Sequence, residues 1–377
     1  MVISIEPIDR SDFREFSRLK IKYERGSLET PNRFVTMVDL NAKDGIGANI
    51  PLTRLRKLFL LEEKINFTTL LSIKETNGYL STFVNRVSKK TNYTSTSGSM
   101  KVFYPSLTDD LRHSLKSGTM SYFECFNFLV SATNVLNFDY LLLDEIFVTS
   151  ETKQLLSSIR TQYSPVVDIR EKRQVHKKLN LALSIPPIES PFLAIRFASY
   201  LSANKAYDYL NLRLDKIHES KRAVLSVGSP RPLSYEESLD ISAPHYGPMI
   251  VSDLIAERSY NHPGPKNDIR LFNPNDLSLP KISEMSAQER NANSGFKFNN
   301  DIKLNELFER LRNNDLLPAG LDNRRGKYLS RVHENVVSNT EFGFMRGSIK
   351  SNEIREYIMS KRLMTKVLKK HIKNYFS

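Results

Sequence analysis

The 377-residue chain has one cysteine, Cys125, so no intrachain disulfide can form and no thiolate zinc cage can be assembled. A reducing interior is the expected setting. Cys125 lies in the apolar run Tyr122-Phe123-Glu124-Cys125-Phe126-Asn127-Phe128-Leu129-Val130, surroundings that suit a buried structural thiol and not a nucleophile. Nowhere does the chain offer the ~18 apolar residues a membrane span needs, and its amino terminus has acidic residues early and no long apolar segment. A cytoplasmic protein with no membrane partner is expected. No glycine-rich dinucleotide turn and no GxxxxGK[ST] phosphate loop opens a helix-like segment, and no internal repeat is seen. No cofactor is expected.

What is present is basic charge. Lys and Arg outnumber Asp and Glu by 55 to 42, giving +13 and a pI near 9.5, which favours a polyanionic partner, nucleic acid before an anionic surface. The carboxyl end is richest. Nine basic residues lie between Arg346 and Ser377 against Glu353 and Glu356, a net 9 − 2 = +7. Ile354, Ile358, Leu363, Val367 and Ile372 form an apolar stripe that leaves Lys361, Arg362, Lys366, Lys369 and Lys370 along an edge suited to phosphates. Arg324, Arg325 and Lys327 form a second basic cluster.

Runs rich in Val, Ile, Leu, Phe and Thr predict strands at 33–40, 66–73, 101–104, 139–143, 181–185, 223–227 and 249–251. Apolar residues at three-to-four spacing predict helices at 53–63, 121–136, 151–160, 190–201, 205–217, 304–311 and 351–375. Their alternation points to an α/β fold, a (β/α)8 TIM-type barrel with insertions ahead of an open doubly wound sheet. The expected organisation is a barrel domain over 1–345 and a basic C-terminal helical extension over 346–377. Eight prolines between Pro230 and Pro280 mark long loops around one short strand.

Two apolar runs stop on a carboxylate, Tyr140-Leu141-Leu142-Leu143-Asp144 and Met249-Ile250-Val251-Ser252-Asp253. Parallel strands would bring such acids to one end of a barrel, where chemistry is placed. His176, His218 and His245 are scattered and read as surface or loop residues, not ligands.

In order along the chain, several short segments resemble the tRNA-guanine transglycosylase superfamily, in its archaeal or DNA-modifying style. Arg25-Gly26-Ser27-Leu28-Glu29-Thr30-Pro31 is similar to that family's opening strand and Thr-Pro turn, and Thr76-Asn77-Gly78-Tyr79-Leu80 to its Thr-Asn-x-Tyr segment. Ser95-Thr96-Ser97-Gly98 falls at its Thr-Asp-Ser-Gly, and Asp139 to Asp144 at its strand ending in a base-recognising aspartate. Val227-Gly228-Ser229-Pro230-Arg231-Pro232-Leu233 resembles the turn before the nucleophile strand, and Asp253, with Gly264 eleven residues on, the nucleophile. His333-Glu334-Asn335, Arg346 and Ile349 are similar to the final helix.

The resemblance implies exchange of guanine for a 7-deazaguanine base in tRNA or DNA. Asp253 would attack the anomeric carbon, Asp144 would accept from guanine N1 and the exocyclic amine, and Thr96, Ser97, Gly98 and Gly228 would line the base pocket. Two departures stand out. Thr96 replaces the family's aspartate, and of its three-cysteine, one-histidine zinc site only His333 remains, so no metal is expected. The alternative is a catalytically silent homologue that binds nucleic acid or partners an active subunit. Assembly as a homodimer or heterodimer is left open.

Overall fold

The computed structural model describes residues 2–36, 58–92, 99–148, 161–169, 174–196, 207–227, 243–256, 269–291, 302–313, 323–372 and 375–376, apart from 15, 76 and 77, together with 156 and 159. Three N-terminal strands, β1 (Ser4–Arg10), β2 (Ser17–Tyr23) and β3 (Gly26–Glu29), form an antiparallel sheet. Eight strand positions then run parallel in a nearly closed barrel with helices between them, a (β/α)8 TIM-type fold. The first position has two pieces, β4 (Asn32–Arg33) and β5 (Val35–Thr36), which pair with the last and second strands respectively. The others are β6 (Leu58–Ile65), β7 (Met100–Leu107), β8 (Tyr140–Asp144), β9 (Tyr163–Asp168), β10 (Phe192–Arg196), β11 (Ala223–Val227) and β12 (Leu254–Ala256).

Successive side chains of a strand point to opposite faces. Leu58 and Leu60, Met100, Val102 and Tyr104, Tyr140 and Leu142, Phe192 and Ala194, and Ala223 and Leu225 therefore fill the barrel interior as one apolar cluster. Leu61, Phe103, Leu141 and Leu143 face outward and pack with the helices. Burial on both faces is why these strands are almost wholly apolar.

The N-terminal sheet closes one end. Ile5, Ile21 and Leu28 lie opposite one another across its three strands and join the interior cluster together with Ile3, Leu19 and Tyr23. The covered end is where the barrel strands begin, because Ile3 N–H bonds the side chain of Gln162, one residue before β9.

The helix Tyr122–Leu136 starts where Ser121 accepts the Glu124 N–H at 3.3 Å and stops at Asn137, which takes the left-handed conformation at φ 51°. Cys125 is buried in it, and burial pushes its thiol up to about 12. The helix Asn323–Lys350 runs straight through the expected 345/346 boundary. Beyond it, Ile354, Ile358, Met364 and Leu368 of the helices Ile354–Ser360 and Arg362–His371 are buried in the cluster that covers β9 to β11, so these helices are part of the barrel's outer layer.

Several expected elements take the other form. The region 53–63, read as helix, holds β6 from Leu58 on, and 66–73, read as strand, lies in the helix Phe67–Glu75. Likewise 181–185 ends the helix Val175–Ser184, 190–201 contains β10, and 351–375 is two helices rather than one. The expected strand 249–251 is a turn in which the Gly247 carbonyl accepts the N–H groups of Ile250, Val251 and Ser252 at 3.0–3.1 Å. Residues 53–57 and most of 151–160 lie outside the described residues. Among those described, no helix is long and apolar enough to cross a membrane.

Candidate functional site

The interior alternation continues to the ends of the strands, where it changes from apolar to polar. The positions two beyond Leu60, Tyr104, Leu142, Val166 and Ala194 are Glu62, Ser106, Asp144, Asp168 and Arg196, so five neighbouring strands deliver polar side chains to the open C-terminal mouth. Ser106 Oγ donates to Glu62 Oε1 at 2.7 Å. From the helix Asp109–Lys116, Arg112 places Nε 2.8 Å and Nη2 2.5 Å from Asp144 Oδ2, and Nη1 3.4 Å from Asp168 Oδ2. Arg196 stands 3.9 Å from the same Asp168 oxygen with about a fifth of its side chain exposed. Glu145 accepts the Asp168 N–H and pairs with Lys178, which also donates to the Asp168 carbonyl.

Asp144 is 2% exposed, and burial pushes its carboxyl above the ordinary carboxylate range against the pull of Arg112. Its second oxygen, Oδ1, accepts the Ile146 N–H at 3.3 Å as the cap of a short 3-10 turn. That bond leaves one side of the carboxylate with acceptor capacity. Glu145 is likewise pushed up by burial, with Lys178 opposing. The result is a desolvated cluster of carboxylates bridged by guanidinium and ammonium groups, able to hold a planar donor-rich group through Asp144 and an anion through Arg196.

Asp253 is elsewhere. It precedes β12 instead of ending a strand, so its carboxylate lies at the N-terminal end of the barrel, opposite to Asp144. Its Oδ2 accepts the N–H of Val224, near the start of β11, at 2.7 Å and meets His218 Nε2 at 3.0 Å. Asp253 and Asp144 thus do not share a site. The cause is the Gly247 turn, which uses up the apolar run expected to be a strand and starts the true strand one residue after the aspartate. A cleft of about 340 Å³, counting its open mouth, is lined there by Arg14, Phe16, His218 and Asp253 among others.

The expected histidine placements also change. His176 is exposed, but His218 and His245 are buried. His218 is charged more readily than a free imidazole: burial opposes the charge, and the Asp253 carboxylate outweighs it. His245 is stacked between Phe272 and Phe342, and His333 against Phe308; burial brings both down to about 3. Neither is placed as a ligand, and among the described residues no group of three or more His, Cys, Asp or Glu could hold a metal ion.

Of the residues expected to meet phosphate, Arg362, Lys366, Lys369 and Lys370 are exposed. Lys361 is buried, donating to Glu341 Oε2 at 3.0 Å and to the Pro274 carbonyl at 2.6 Å, and so belongs to the packing between helices. The side chains of Arg324, Arg325 and Lys327, and the expected pocket residues Thr96, Ser97, Gly98 and Gly228, lie outside the described residues, as does Gly264. Glu62, Arg112, Asp168 and Arg196 were missed by sequence reasoning. The signal was there for three of them, since LFLLE, YSPVVD and FLAIR are apolar runs ending on a charge, the same pattern that drew attention to Asp144. No protein-family model and no curated protein matches the chain.

Proposed function

We propose that this chain is an enzyme acting on a nucleobase at the C-terminal mouth of its barrel, a guanine transglycosylase-type protein that exchanges guanine for a 7-deazaguanine in tRNA or DNA. The observation that carries the proposal is the layer of Glu62, Asp144, Asp168 and Arg196 converging on the end of the barrel where this architecture places its chemistry. Asp144 keeps the role the family resemblance gives it. It already accepts two N–H groups from one planar guanidinium, the donor pattern that guanine presents through N1 and its exocyclic amine. The order of motifs from Arg25-Gly26 through Thr30-Pro31 into the first barrel strand supports the same reading.

Asp253 is not available to a base at that mouth, so the attacking carboxylate is assigned to Asp168, which shares Arg112 with Asp144. In this scheme an Asp168 oxygen bonds to the sugar's anomeric carbon as the bond to guanine N9 breaks, and guanine leaves with that electron pair and takes up a proton. The incoming base then gives up a proton as its ring nitrogen displaces the carboxylate. Arg196, loosely held, would face a substrate phosphate.

The test is release of labelled guanine from tRNA, duplex DNA and single-stranded DNA on addition of free 7-deazaguanine bases. Asp144→Asn and Asp168→Asn should each lower exchange by about a hundredfold or more while the fold persists. Wild-type exchange in both variants, or loss of exchange in a folded Asp253→Asn protein, would refute the assignment of the mouth. A second reading, a catalytically silent homologue, is favoured by one observation: each of the four mouth carboxylates already holds a cation or hydroxyl of the chain itself. Binding without release from any polymer would select it.

A further inference from the structure

We propose that the outer face of the C-terminal helix Arg362–His371 is a docking surface for a nucleic-acid phosphate backbone, an inference that rests on the nucleic-acid reading above and names where that polymer is held. Arg362, Lys366, Lys369 and Lys370 recur at i, i+4, i+7 and i+8, which puts them on one side of a helix, and all four are exposed. Met364 and Leu368 occupy the other side, both fully buried. At 1.5 Å per residue the four cations span about 12 Å, a length over which duplex DNA carries roughly seven phosphate charges.

No acidic residue occurs from Tyr357 to Ser377. Arg362 and Lys366 make no ion pair among the described residues, and the Lys369 ammonium lies 4.7 Å from the Phe376 ring centre, a contact that leaves its charge uncompensated. Lys361 is not part of the face, because its ammonium is held by Glu341 and Pro274.

A basic amphipathic helix can also lie on a membrane, but it does so by sinking its apolar side into the lipid. Here that side is already spent on the protein core: Met364, Leu368 and Ile372 pack with Ile349, Ile354 and Tyr375 in the cluster covering the barrel. Only the charged side is left for a partner, which selects a polyanion met through its phosphates and not through its sequence. The surface lies toward the closed end of the barrel. Tyr375 donates to the Met249 carbonyl in the turn before Asp253, and Arg14 of the β1–β2 connection donates to the Tyr375 carbonyl. It is therefore separate from the Asp144 mouth, and changes made on it leave the mouth intact.

The experiment uses the full chain and a fluorescein-labelled random duplex of about 20 base pairs, with affinity measured by anisotropy between about 50 and 200 mM salt. If the four cations each neutralise one phosphate they contribute about −3.6 to the slope of log affinity against log salt. The variant Arg362→Gln/Lys366→Gln/Lys369→Gln/Lys370→Gln should lose that increment and bind at least about tenfold more weakly at the low-salt end. The control Lys116→Gln/Lys177→Gln/Lys216→Gln/Lys303→Gln removes the same charge from exposed positions elsewhere and should bind like wild type. Equal weakening in the two variants would overturn the proposal by reducing it to net charge, and an unchanged slope in the first would overturn it outright. Vesicles of phosphatidylserine and phosphatidylcholine form the second arm; tight vesicle binding without duplex binding would assign the face to lipid and overturn the proposal. Duplex binding that survives the first variant sinks this surface alone, whereas wild-type protein that binds neither duplex nor tRNA sinks the nucleic-acid reading with it.

Discussion

Replacing Arg112 by methionine tests the mouth of the barrel most directly, because it keeps the aliphatic bulk and removes the charge that two buried carboxylates share. The three contacts are unequal. Asp109 has 77% of its side chain exposed, so its 3.4 Å approach contributes a few tenths of a kcal/mol at most. Asp168 keeps Arg196 at 3.9 Å and loses only part of its compensation. Asp144 loses both of its guanidinium donors while its side chain stays 3% exposed, and removing one partner of such a pair costs about 3–5 kcal/mol. That is a large share of the roughly 5–15 kcal/mol that holds a domain folded.

Urea unfolding followed by circular dichroism reads the cost as a shift of the midpoint at constant slope. The double variant Arg112→Met/Asp144→Asn should recover most of the loss, since it removes both charges together. Protonation should act in the same direction. The Asp144 carboxyl is raised by burial, so the native state binds the proton more tightly than the unfolded chain, and stability falls as pH rises from the ordinary aspartate value near 3.9 through the raised one. Without Arg112 that window extends upward, and the variant should be closer to wild type in acid than at neutral pH. A loss under about 1 kcal/mol, or no recovery on adding Asp144→Asn, would refute the claim that Arg112 compensates a desolvated carboxylate.

At the other end of the barrel the His218–Asp253 pair acts in the same sense over a higher pH window: His218 is raised, so its contribution is fully present below the ordinary histidine value near 6.5 and is lost as pH climbs through the folded value. Urea midpoints across that range should show the decline in wild type and not in His218→Gln; equal pH dependence in both would assign it to another group. Lys361→Met should cost about 3–5 kcal/mol by leaving Glu341 buried without its ammonium, read by the same unfolding assay, whereas a change within about 0.5 kcal/mol would mean the pair adds nothing to helix docking. Tyr140→Phe should cost only about 1 kcal/mol, because Ser164, its hydroxyl partner, keeps Ser190 and the Phe192 carbonyl; a loss above about 3 kcal/mol would place the hydroxyl at the centre of that network.

The fold class was legible in the sequence, while individual elements were legible only where local chemistry and tertiary burial agree. The helix Tyr122–Leu136 has a Ser cap and an Asn stop, and β8 and β11 are short and almost purely apolar. Leu58–Ile65 carries leucine and phenylalanine at a spacing that serves a helix equally well, and a strand buried on both faces has no alternation to reveal it. The β-branched residues of 66–73 suggested a strand, yet Asn66 accepts the Thr69 N–H at 2.7 Å and starts a helix, a cap visible in the sequence once sought. Ile185 is extended because Pro186 follows, which ends the preceding helix and made its last turn look like a strand.

The candidate site was legible by half. A run of leucines ending on Asp144 needs no context, but Asp253 follows an apolar run just as closely and sits at the wrong end, because a turn at Gly247 intervenes. Pro165 inside β9 hid the strand that carries Asp168. Arg112 has no local signal at all, since what makes it important is a pair of carboxylates 32 and 56 residues further along the chain.

The N-terminal sheet gives the barrel a floor. Ile5, Ile21 and Leu28 seal the end where the strands begin, and Tyr140, Leu142 and Val166 fill the interior above them, so nothing passes through from one end to the other. A compound held beside Asp144 leaves by the opening through which it came. In an exchange reaction the departing and arriving bases would then share a single doorway, the first clearing it before the second enters, and excess incoming base would slow turnover by occupying it early. Traffic at one entrance would set the order of events, whatever groups carry out the chemistry inside.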